Sequence, residues 1–379
     1  MSGGRPPDRA RARDLGVAPG RLATGPANAI TDVPGIRVGH ATVVEGAGIR
    51  TGVTAIVHDE LLGGGALPAG LSVFNGFGKM VGSTQVAELG TVETPVLLTA
   101  TLSVFRVADA LLSYLCDLSY RHEGHGSQPP GTLNPVVAET NDGYLSDIWA
   151  RPVAAEHVRI ALDTAAGGPV AEGCVGAGTG TGALGFKAGI GTSSRVAPWS
   201  AGPVTLGVLV QANFSGELTV LGVPIPATGR EPVPDHGNSC VIVLATDAVL
   251  DSRQLERLAS RAFGGMARAG SDFSGRSGDY ALAISTARPV SAAGQAGAQG
   301  TAATQASAAA SSAAAAPASY PVPAKDLDLL FQAAIEATEE AILNSLFMAV
   351  TTTGFRDHVR HAVSLDEVVA RVGGKLAGS

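Results

Sequence analysis

Residues 235–245 have the sequence Asp235-His236-Gly237-Asn238-Ser239-Cys240-Val241-Ile242-Val243-Leu244-Ala245, in which a polar turn leads into an uninterrupted apolar run. A short apolar run that is bounded by turn residues is typical of a buried β-strand. Ser239 is therefore expected at the mouth of a core strand, where its hydroxyl can face a cleft. From these residues alone, the simpler interpretation of a Gly-Asn turn that only precedes a strand stays open.

The Asn238–Ser239 peptide bond also has chemistry of its own. If the turn strains the Asn238 carbonyl, the Ser239 hydroxyl can attack it, and hydrolysis of the resulting ester leaves Ser239 as a new N-terminus. An α-amino group titrates near ~8, so at neutral pH it can act as the base for its own hydroxyl, as in N-terminal nucleophile enzymes. The stretch therefore suggests a precursor that cleaves itself.

Composition limits the classes of function. The chain has 379 residues, of which 45% are hydrophobic and only 16% are charged, so we predict a large buried core. The net charge of −7 argues against a nucleic-acid partner, which would need a basic surface. No apolar run reaches the ~20 residues of a membrane span, and no apolar segment follows the Arg- and Pro-rich start as a secretory signal would require. We expect a cytoplasmic protein without membrane association.

Cysteines, histidines and glycines do not form a recognisable cofactor motif. The three cysteines, Cys116, Cys174 and Cys240, stand in unlike contexts and predict neither a disulfide framework nor a zinc site. The run Gly173–Gly182 lacks the acidic residue that a dinucleotide site needs about 20 positions on, so we expect it to line a pocket with backbone amides. The pairs His122/His125 and His358/His361 are interpreted as surface or capping residues. No metal and no organic cofactor are expected.

The chain is expected to form one domain over residues 26–379, after a disordered lead-in of residues 1–25. Residues 291–319 consist almost wholly of Ala, Ser, Gly, Gln and Thr and are predicted to be a flexible insertion, with a poly-Ala helix as the alternative. Strands and helices follow one another without regular βαβ alternation, which favours an α+β layered architecture with mostly antiparallel sheets. Apolar periodicity and capping residues predict helices over Val104–Leu118, after Asp251 with Gln254, over Lys325–Val350, and after Ser364 with Glu367.

A second polar group precedes the apolar strand Ala281–Ile284. If Ser277 and Asp279 begin that strand, alternation places both side chains on one face. A serine and a carboxylate could then face Ser239 from an adjacent strand. The alternative is a polar turn at the start of the strand.

Taken together, these motifs resemble the L-aminopeptidase/D-esterase family, which includes the β-peptidyl aminopeptidases. The resemblance covers nearly all of the chain from Ala29 to about Thr353, apart from the insertion. It rests on several motifs in the same order: Thr31-Asp32-Val33-Pro34-Gly35-Ile36-Arg37-Val38-Gly39-His40, Glu139-Thr140-Asn141-Asp142-Gly143-Tyr144-Leu145, the Gly173–Gly182 run, Val210-Gln211-Ala212-Asn213-Phe214, Gly237-Asn238-Ser239 and Ser277-Gly278-Asp279.

The resemblance implies a four-layer αββα sandwich similar to N-terminal nucleophile hydrolases but with different strand connectivity. It implies self-cleavage between Asn238 and Ser239 into chains of residues 1–238 and 239–379, which stay together and assemble into a homo-oligomer. The activity it implies is that of a serine aminopeptidase, which acts through an acyl-enzyme on short peptides, amides or esters with a free amino terminus.

Roles for individual residues follow from the same resemblance. Ser239 would be the nucleophile, Asn213 would help to hold the oxyanion, and Ser277 with Asp279 would orient the amine and hydroxyl of the nucleophile. Some members have Glu where this chain has the shorter Asp279. On the substrate side, the resemblance implies that Glu139 would bind the substrate ammonium and that Tyr144 would border the pocket. Alternation points Cys240 into the core, so we expect packing from it.

Two other functions stay open at this point. An amine-accepting acyltransferase of the same fold would also cleave itself, although such enzymes use threonine as the nucleophile. An inactive, uncleaved binding protein would keep the fold without the chemistry.

Overall fold

A computed structural model of the chain describes residues 9–122, 132–227, 238–287 and 322–375. The predicted insertion at 291–319 and the turn residues 235–237 lie outside the described residues, as does His125.

The described residues form strands and helices in mixed order. The strands are β1 (Arg37–Glu45), β2 (Ile49–Val57), β3 (Leu67–Gly76), β4 (Met80–Val81), β5 (Thr91–Val92), β6 (Val96–Ala100), β7 (Val136–Thr140), β8 (Gly182–Ala183), β9 (Phe186–Lys187), β10 (Ile190–Ala197), β11 (Val204–Asn213), β12 (Thr219–Val220), β13 (Val223–Pro224), β14 (Asn238–Thr246), β15 (Ser277–Ser285), β16 (Thr352–Thr353) and β17 (Val359–Arg360). The α-helices are α1 (Asp59–Leu62), α2 (Ser83–Leu89), α3 (Val104–His122), α4 (Ala155–Asp163), α5 (Ser252–Ala269), α6 (Ala324–Phe347) and α7 (Leu365–Val372).

Two large sheets form the centre of the domain. The first has the order β1-β2-β6-β7-β4, and the second has the order β10-β11-β14-β15-β3-β5. Strand pairs in both sheets are antiparallel except β6/β7 and β14/β15, which are parallel. The prediction of mostly antiparallel sheets is confirmed.

Three apolar cores separate four layers. Between the sheets, Leu98 of one packs with Leu209 and Val243 of the other. On the outer face of the first sheet, α3 and α4 cover the strands, with Leu111 at the centre of the contact. On the outer face of the second sheet, α5 covers β3 and β15 and α6 covers β10 and β11, with Leu258 in that core. The layers are therefore helix, sheet, sheet and helix, which confirms the predicted αββα sandwich.

Local capping signals in the sequence form as predicted. The Gln254 N–H donates to Asp251 Oδ1 at 2.7 Å, and the Asp251 N–H donates back to Gln254 Oε1 at 3.0 Å. Ser364 Oγ likewise accepts from the Glu367 N–H at 3.3 Å. The bonds between Asp251 and Gln254 are reciprocal, whereas at Ser364 only one of the two predicted bonds forms, because the Glu367 carboxylate accepts from Arg371 instead. The bonds satisfy backbone donors that a helix start leaves unpaired.

The expectation of a disordered lead-in is wrong for residues 9–25. The Arg9 guanidinium is buried and donates to the carbonyls of Phe347, Leu346 and Val363. Arg11 forms an ion pair with the buried Glu172 at 2.7 Å. The last carbonyls of a helix have no partner within the helix, so the Arg9 side chain supplies the donors at the end of α6. An Arg-rich segment can therefore be part of the packed structure.

The glycine run packs backbone against backbone. A Cβ on Gly180 would lie 2.0 Å from the Arg50 carbonyl oxygen, and one on Gly178 would lie 2.4 Å from the Ile190 nitrogen. Any side chain at these positions would push the run away from β2 and β10. The glycines thus permit the close approach that brings Gly182 to the site described next.

Candidate active site

Ser239 is the second residue of β14 and is only 2% exposed. Strand alternation directs its side chain, with those of Val241 and Val243, into the space between the two sheets. There, the backbone N–H of Asn141 donates to Ser239 Oγ at 3.1 Å. Asn141 directly follows β7 of the other sheet, so the hydroxyl lies where the ends of β14 and β7 meet.

Asn213 lies directly opposite Ser239. The two residues pair in the antiparallel register of β11 and β14, so their side chains leave the sheet on the same face. Asn213 is 3% exposed, and its Oδ1 accepts from the Gly182 N–H at 3.2 Å. This bond orients the carboxamide with its NH₂ group away from Gly182. The structure thus brings Asn213, the glycine run and Ser239 together.

Ser277 and Asp279 form a buried pair. Ser277 Oγ donates to Asp279 Oδ1 at 2.7 Å, and the Asn75 amide donates to Asp279 Oδ2 at 2.8 Å. Burial raises the pKa of Asp279, while the hydrogen bonds from Ser277 and Asn75 oppose that rise. Both carboxylate oxygens are therefore held in place.

The pair does not face the Ser239 hydroxyl. In the parallel register of β14 and β15, Asn238 lies beside Ser277, and Cys240 lies beside Asp279. Ser277 and Asp279 consequently occupy the helix-covered face of the sheet, and the Ser239 side chain occupies the other face. The pair flanks the main chain at the Asn238–Ser239 bond instead of the hydroxyl.

Cys240 packs in the core between the second sheet and its helices, as expected from alternation. Burial raises the pKa of its thiol well above the usual range, and the Asp279 charge adds to this rise. Because the thiolate is the reactive form of cysteine, a neutral buried thiol here is a packing group.

Glu139 stands on β7, two residues before Asn141, and is 3% exposed. Its Oε1 accepts from the Lys79 N–H at 3.1 Å, and the Lys79 ammonium lies 3.6 Å away. Burial raises the pKa of Glu139, and Lys79 counteracts the rise. The other oxygen, Oε2, is buried and makes no hydrogen bond among the residues that the structure describes. It is therefore an acceptor available to a cationic group.

Tyr144 packs against His358, which lines a neighbouring cavity. Its ring stacks on His358 with 4.4 Å between centroids, and the His358 Nδ1–H donates to the Tyr144 carbonyl at 2.8 Å. The cavity, of about 250 Å³, is lined by Asn141, Gly143, Ser146, Asp147, Ile148, Trp149, Phe355, Arg356 and His358. Asn141 lines this cavity and contacts Ser239, so the cavity adjoins the candidate site.

Three contacts at the site were not predicted from the sequence. Asn75 holds Asp279, Lys79 holds Glu139, and the Asn141 N–H contacts Ser239. Asn141 lies within a recognised motif, but its contribution is a backbone N–H, which no side-chain pattern can signal. Asn75 and Lys79 reach the site through pairing of distant strands, and the sequence contains no local sign of it.

Asp142, next to Asn141, gives a pH-dependent prediction. Its carboxylate is buried and makes no hydrogen bond within the described residues, and burial raises its pKa to about 7. An unfolded chain releases this proton near ~3.9, so the folded chain binds it more tightly. The stabilising contribution is complete below about pH 4 and is lost as the pH rises to about 7. We therefore expect the free energy of unfolding of Asp142→Asn to increase relative to that of wild type as the pH rises from about 4 to about 7.

The measurement is urea unfolding from pH 4 to pH 8, comparing Ser239→Ala with Ser239→Ala/Asp142→Asn so that the chain stays one covalent species. Taking the difference between these two proteins removes the contribution of other groups such as Glu172. A difference that stays constant with pH would contradict the raised pKa of Asp142.

Metal ligation has no support among the described residues, which contain no group of three or more His, Cys, Asp or Glu side chains suited to a metal ion. In the same ranges, no helix combines the length and apolar character needed to cross a bilayer.

The sequence profile of peptidase family S58 matches residues 28–360. This chain belongs to peptidase family S58. It is 38% identical to the beta-peptidyl aminopeptidase BapA of Sphingosinicella microcystinivorans, over 93% of this chain and 89% of that protein. The corresponding protein of Sphingosinicella xenopeptidilytica is 37% identical over 94% of this chain and 90% of its own length.

Solved S58-like structures agree with the fold. The l-aminopeptidase d-Ala-esterase/amidase of Ochrobactrum anthropi, described as a prototype for the serine aminopeptidases and a new variant of the Ntn hydrolase fold, superposes with a TM-score of 0.83. It is 35% identical, with 97% of this chain and 99% of that chain covered. A beta-aminopeptidase of Burkholderia sp. gives a TM-score of 0.81 at 39% identity, with 98% and 99% covered. The family resemblance inferred from the motifs is confirmed.

Proposed function

We propose that this chain is a self-processing serine aminopeptidase that removes an N-terminal residue from short peptides, amides or esters through an acyl-enzyme on Ser239. The observation that carries the proposal is the arrangement around Ser239 Oγ. The hydroxyl accepts from the Asn141 N–H at 3.1 Å and shares its face of the sheet with the directly opposed Asn213. Membership of a peptidase family supports the same reaction class.

Self-processing would prepare the nucleophile. Attack of Ser239 Oγ on the Asn238 carbonyl, followed by hydrolysis of the ester, divides the chain into residues 1–238 and 239–379. The new α-amine titrates near ~8 and serves as the base for its own hydroxyl. Because Ser277 and Asp279 flank the main chain at residue 239, they would act on this amine.

In substrate hydrolysis, Ser239 would attack the carbonyl of the N-terminal residue. Negative charge then develops on the carbonyl oxygen, and a fixed donor at this position lowers the barrier. The candidate donors are the carboxamide of Asn213, which pairs with Ser239 across β11 and β14, and the Asn141 N–H, which contacts the hydroxyl. Water would then release the acyl group from Ser239.

Glu139 and Tyr144 define the proposed substrate side. The buried Oε2 of Glu139 supports binding of the substrate's free ammonium, which would restrict cleavage to the first residue. The cavity beyond Asn141, lined by His358 on which Tyr144 stacks, would accept the remainder of the substrate. We further propose that the two chains stay together in a homo-oligomer in the cytoplasm, which sedimentation of the purified protein and cell fractionation would test.

Denaturing gel electrophoresis with N-terminal sequencing tests the proposal without a choice of substrate. We expect two fragments, the smaller of which begins at Ser239. Purified protein that runs as one intact chain and hydrolyses no ester or p-nitroanilide of an amino acid would instead indicate a binding protein.

Glu139→Gln is expected to raise KM by about tenfold or more for substrates with a free amine, because a charge-assisted bond is worth about 1.5–3 kcal/mol. Since the carboxylate must be ionised and burial raises its pKa, wild-type binding should weaken on acidification at a higher pH than for an ordinary glutamate. Steady-state kinetics over pH check both effects.

Glu88→Gln is the matched control, because Glu88 is exposed on α2. An unchanged KM in Glu139→Gln would show that another group binds the ammonium.

A further inference from the structure

The side chain of Asn238, the residue before the proposed cleavage point, is held by two serines from two loops. Its Nδ2 donates to Ser215 Oγ at 2.8 Å and to Ser274 Oγ at 3.0 Å. Ser215 Oγ in turn donates to Asp272, 2.7 Å from Oδ1 and 2.9 Å from Oδ2. We name Ser215, Asp272 and Ser274 the Asn238 cradle.

Further hydrogen bonds hold the residues of the cradle in place. The Ser274 N–H donates to Asp272 Oδ1 at 3.1 Å, and the Ser277 N–H donates to the Ser274 carbonyl at 3.1 Å. Ser215 lies two residues after β11, and Ser274 lies three residues before β15, the two strands that flank β14. The cradle therefore connects the neighbours of β14 across its first residue.

The hydrogen bonds run in one direction. Ser215 uses its only hydroxyl proton on the Asp272 carboxylate, so its oxygen must accept from residue 238. The amide NH₂ of asparagine supplies the required donors, whereas a carboxylate of the same shape has none. At Ser215, the cradle is thus complementary to asparagine and not to its isostere aspartate.

Asn238 and Ser239 point to opposite faces of β14. The cradle holds the side chain on one face, and the Asn141 N–H holds the Ser239 hydroxyl on the other. The peptide bond between them is consequently restrained from both faces, and restraint of reacting groups in one geometry lowers the barrier to attack.

We propose that the Asn238 cradle positions the scissile peptide for self-cleavage and selects asparagine at position 238. The inference rests on the proposed function. In the step it assists, a bond forms between Ser239 Oγ and the Asn238 carbonyl carbon, the C–N bond breaks, and the hydroxyl proton ends on the new α-amine. Water then hydrolyses the ester, which gives the Asn238 carboxylate and the free hydroxyl. Ser215, Asp272 and Ser274 act as positioning residues through Asn238.

The test follows the appearance of the two fragments during cell-free synthesis of the full chain, on denaturing gels. Asn238→Asp is expected to slow cleavage by about tenfold, because the bond to Ser215 is lost and the Ser215 oxygen, whose proton is bound to Asp272, then faces a carboxylate that has no proton to donate. Adding Asp272→Asn to Asn238→Asp should recover part of the rate. The amide at position 272 can then donate to Ser215 Oγ, which leaves the Ser215 proton for the carboxylate at position 238. Ser260→Ala is the control, because the Ser260 hydroxyl donates to the Arg257 carbonyl and accepts from the Arg261 guanidinium, both within α5.

A double-mutant cycle separates positioning from a structural effect. In Ser215→Ala/Ser274→Ala, the further change Asn238→Ala should not slow cleavage again, since its partners are already absent. Two results would overturn the inference and leave the proposed function intact. One is that Asn238→Ala slows cleavage by the same factor in the double serine variant as in wild type, and the other is that Asn238→Asp cleaves at the wild-type rate. A wild-type chain that never cleaves would overturn both. If the double serine variant does not fold, Asn238→Asp decides, since it leaves the cradle unchanged.

Discussion

Ser239→Ala is expected to yield a single full-length chain without aminopeptidase activity. The variant lacks the hydroxyl that accepts from the Asn141 N–H between the sheets, and this hydroxyl is the proposed nucleophile for both reactions. Loss of a catalytic nucleophile typically costs several orders of magnitude in kcat. A denaturing gel and turnover of an amino-acid p-nitroanilide measure the two effects in the same preparation.

The fold should survive this change, because alanine keeps the strand position and removes one polar atom. Ser200→Ala, at an exposed turn, is the control and should process and turn over as wild type does. A Ser239→Ala protein that is still cleaved between residues 238 and 239 would rule out Ser239 as the nucleophile of self-cleavage.

Asn213→Ala is expected to lower kcat by about 10²–10³-fold, the usual cost of removing one oxyanion donor. The effect should fall mainly on kcat, because the donor contacts charge that develops only in the transition state. Asn213 also accepts from Gly182, so alanine removes a structural bond as well.

Asn213→Asp separates the two effects, since a carboxylate keeps the acceptor for Gly182 and loses the NH₂ donor. We expect Asn213→Asp to be as slow as Asn213→Ala, with thermal unfolding closer to wild type. Asn134→Ala, at an exposed position that bonds Glu93, is the control. A kcat of Asn213→Asp near that of wild type would assign oxyanion binding to other groups.

Local sequence was sufficient wherever the determining partners lie within a few residues. The apolar run after Ser239 predicts a core strand, and β14 extends over Asn238–Thr246. The Asp251–Gln254 spacing predicts the start of α5, and both reciprocal bonds form. Alternation alone predicts that Ser277 and Asp279 share a face and that Cys240 points into the core.

Relations between strands were decided only by the tertiary structure. A shift of one residue in parallel register exchanges the faces of every side chain, so the sequence of β15 cannot say whether its pair faces residue 239 or residue 238. Contacts such as that of Asn75 with Asp279 join positions about two hundred residues apart and leave no periodic signal. The contacts of residues 9–25 could not be predicted for the same reason. Arg9 caps the end of α6 because the chain brings that helix end close to it, and no local sequence pattern signals this contact. Short-range chemistry thus determined which groups are present, and long-range packing determined which of them meet.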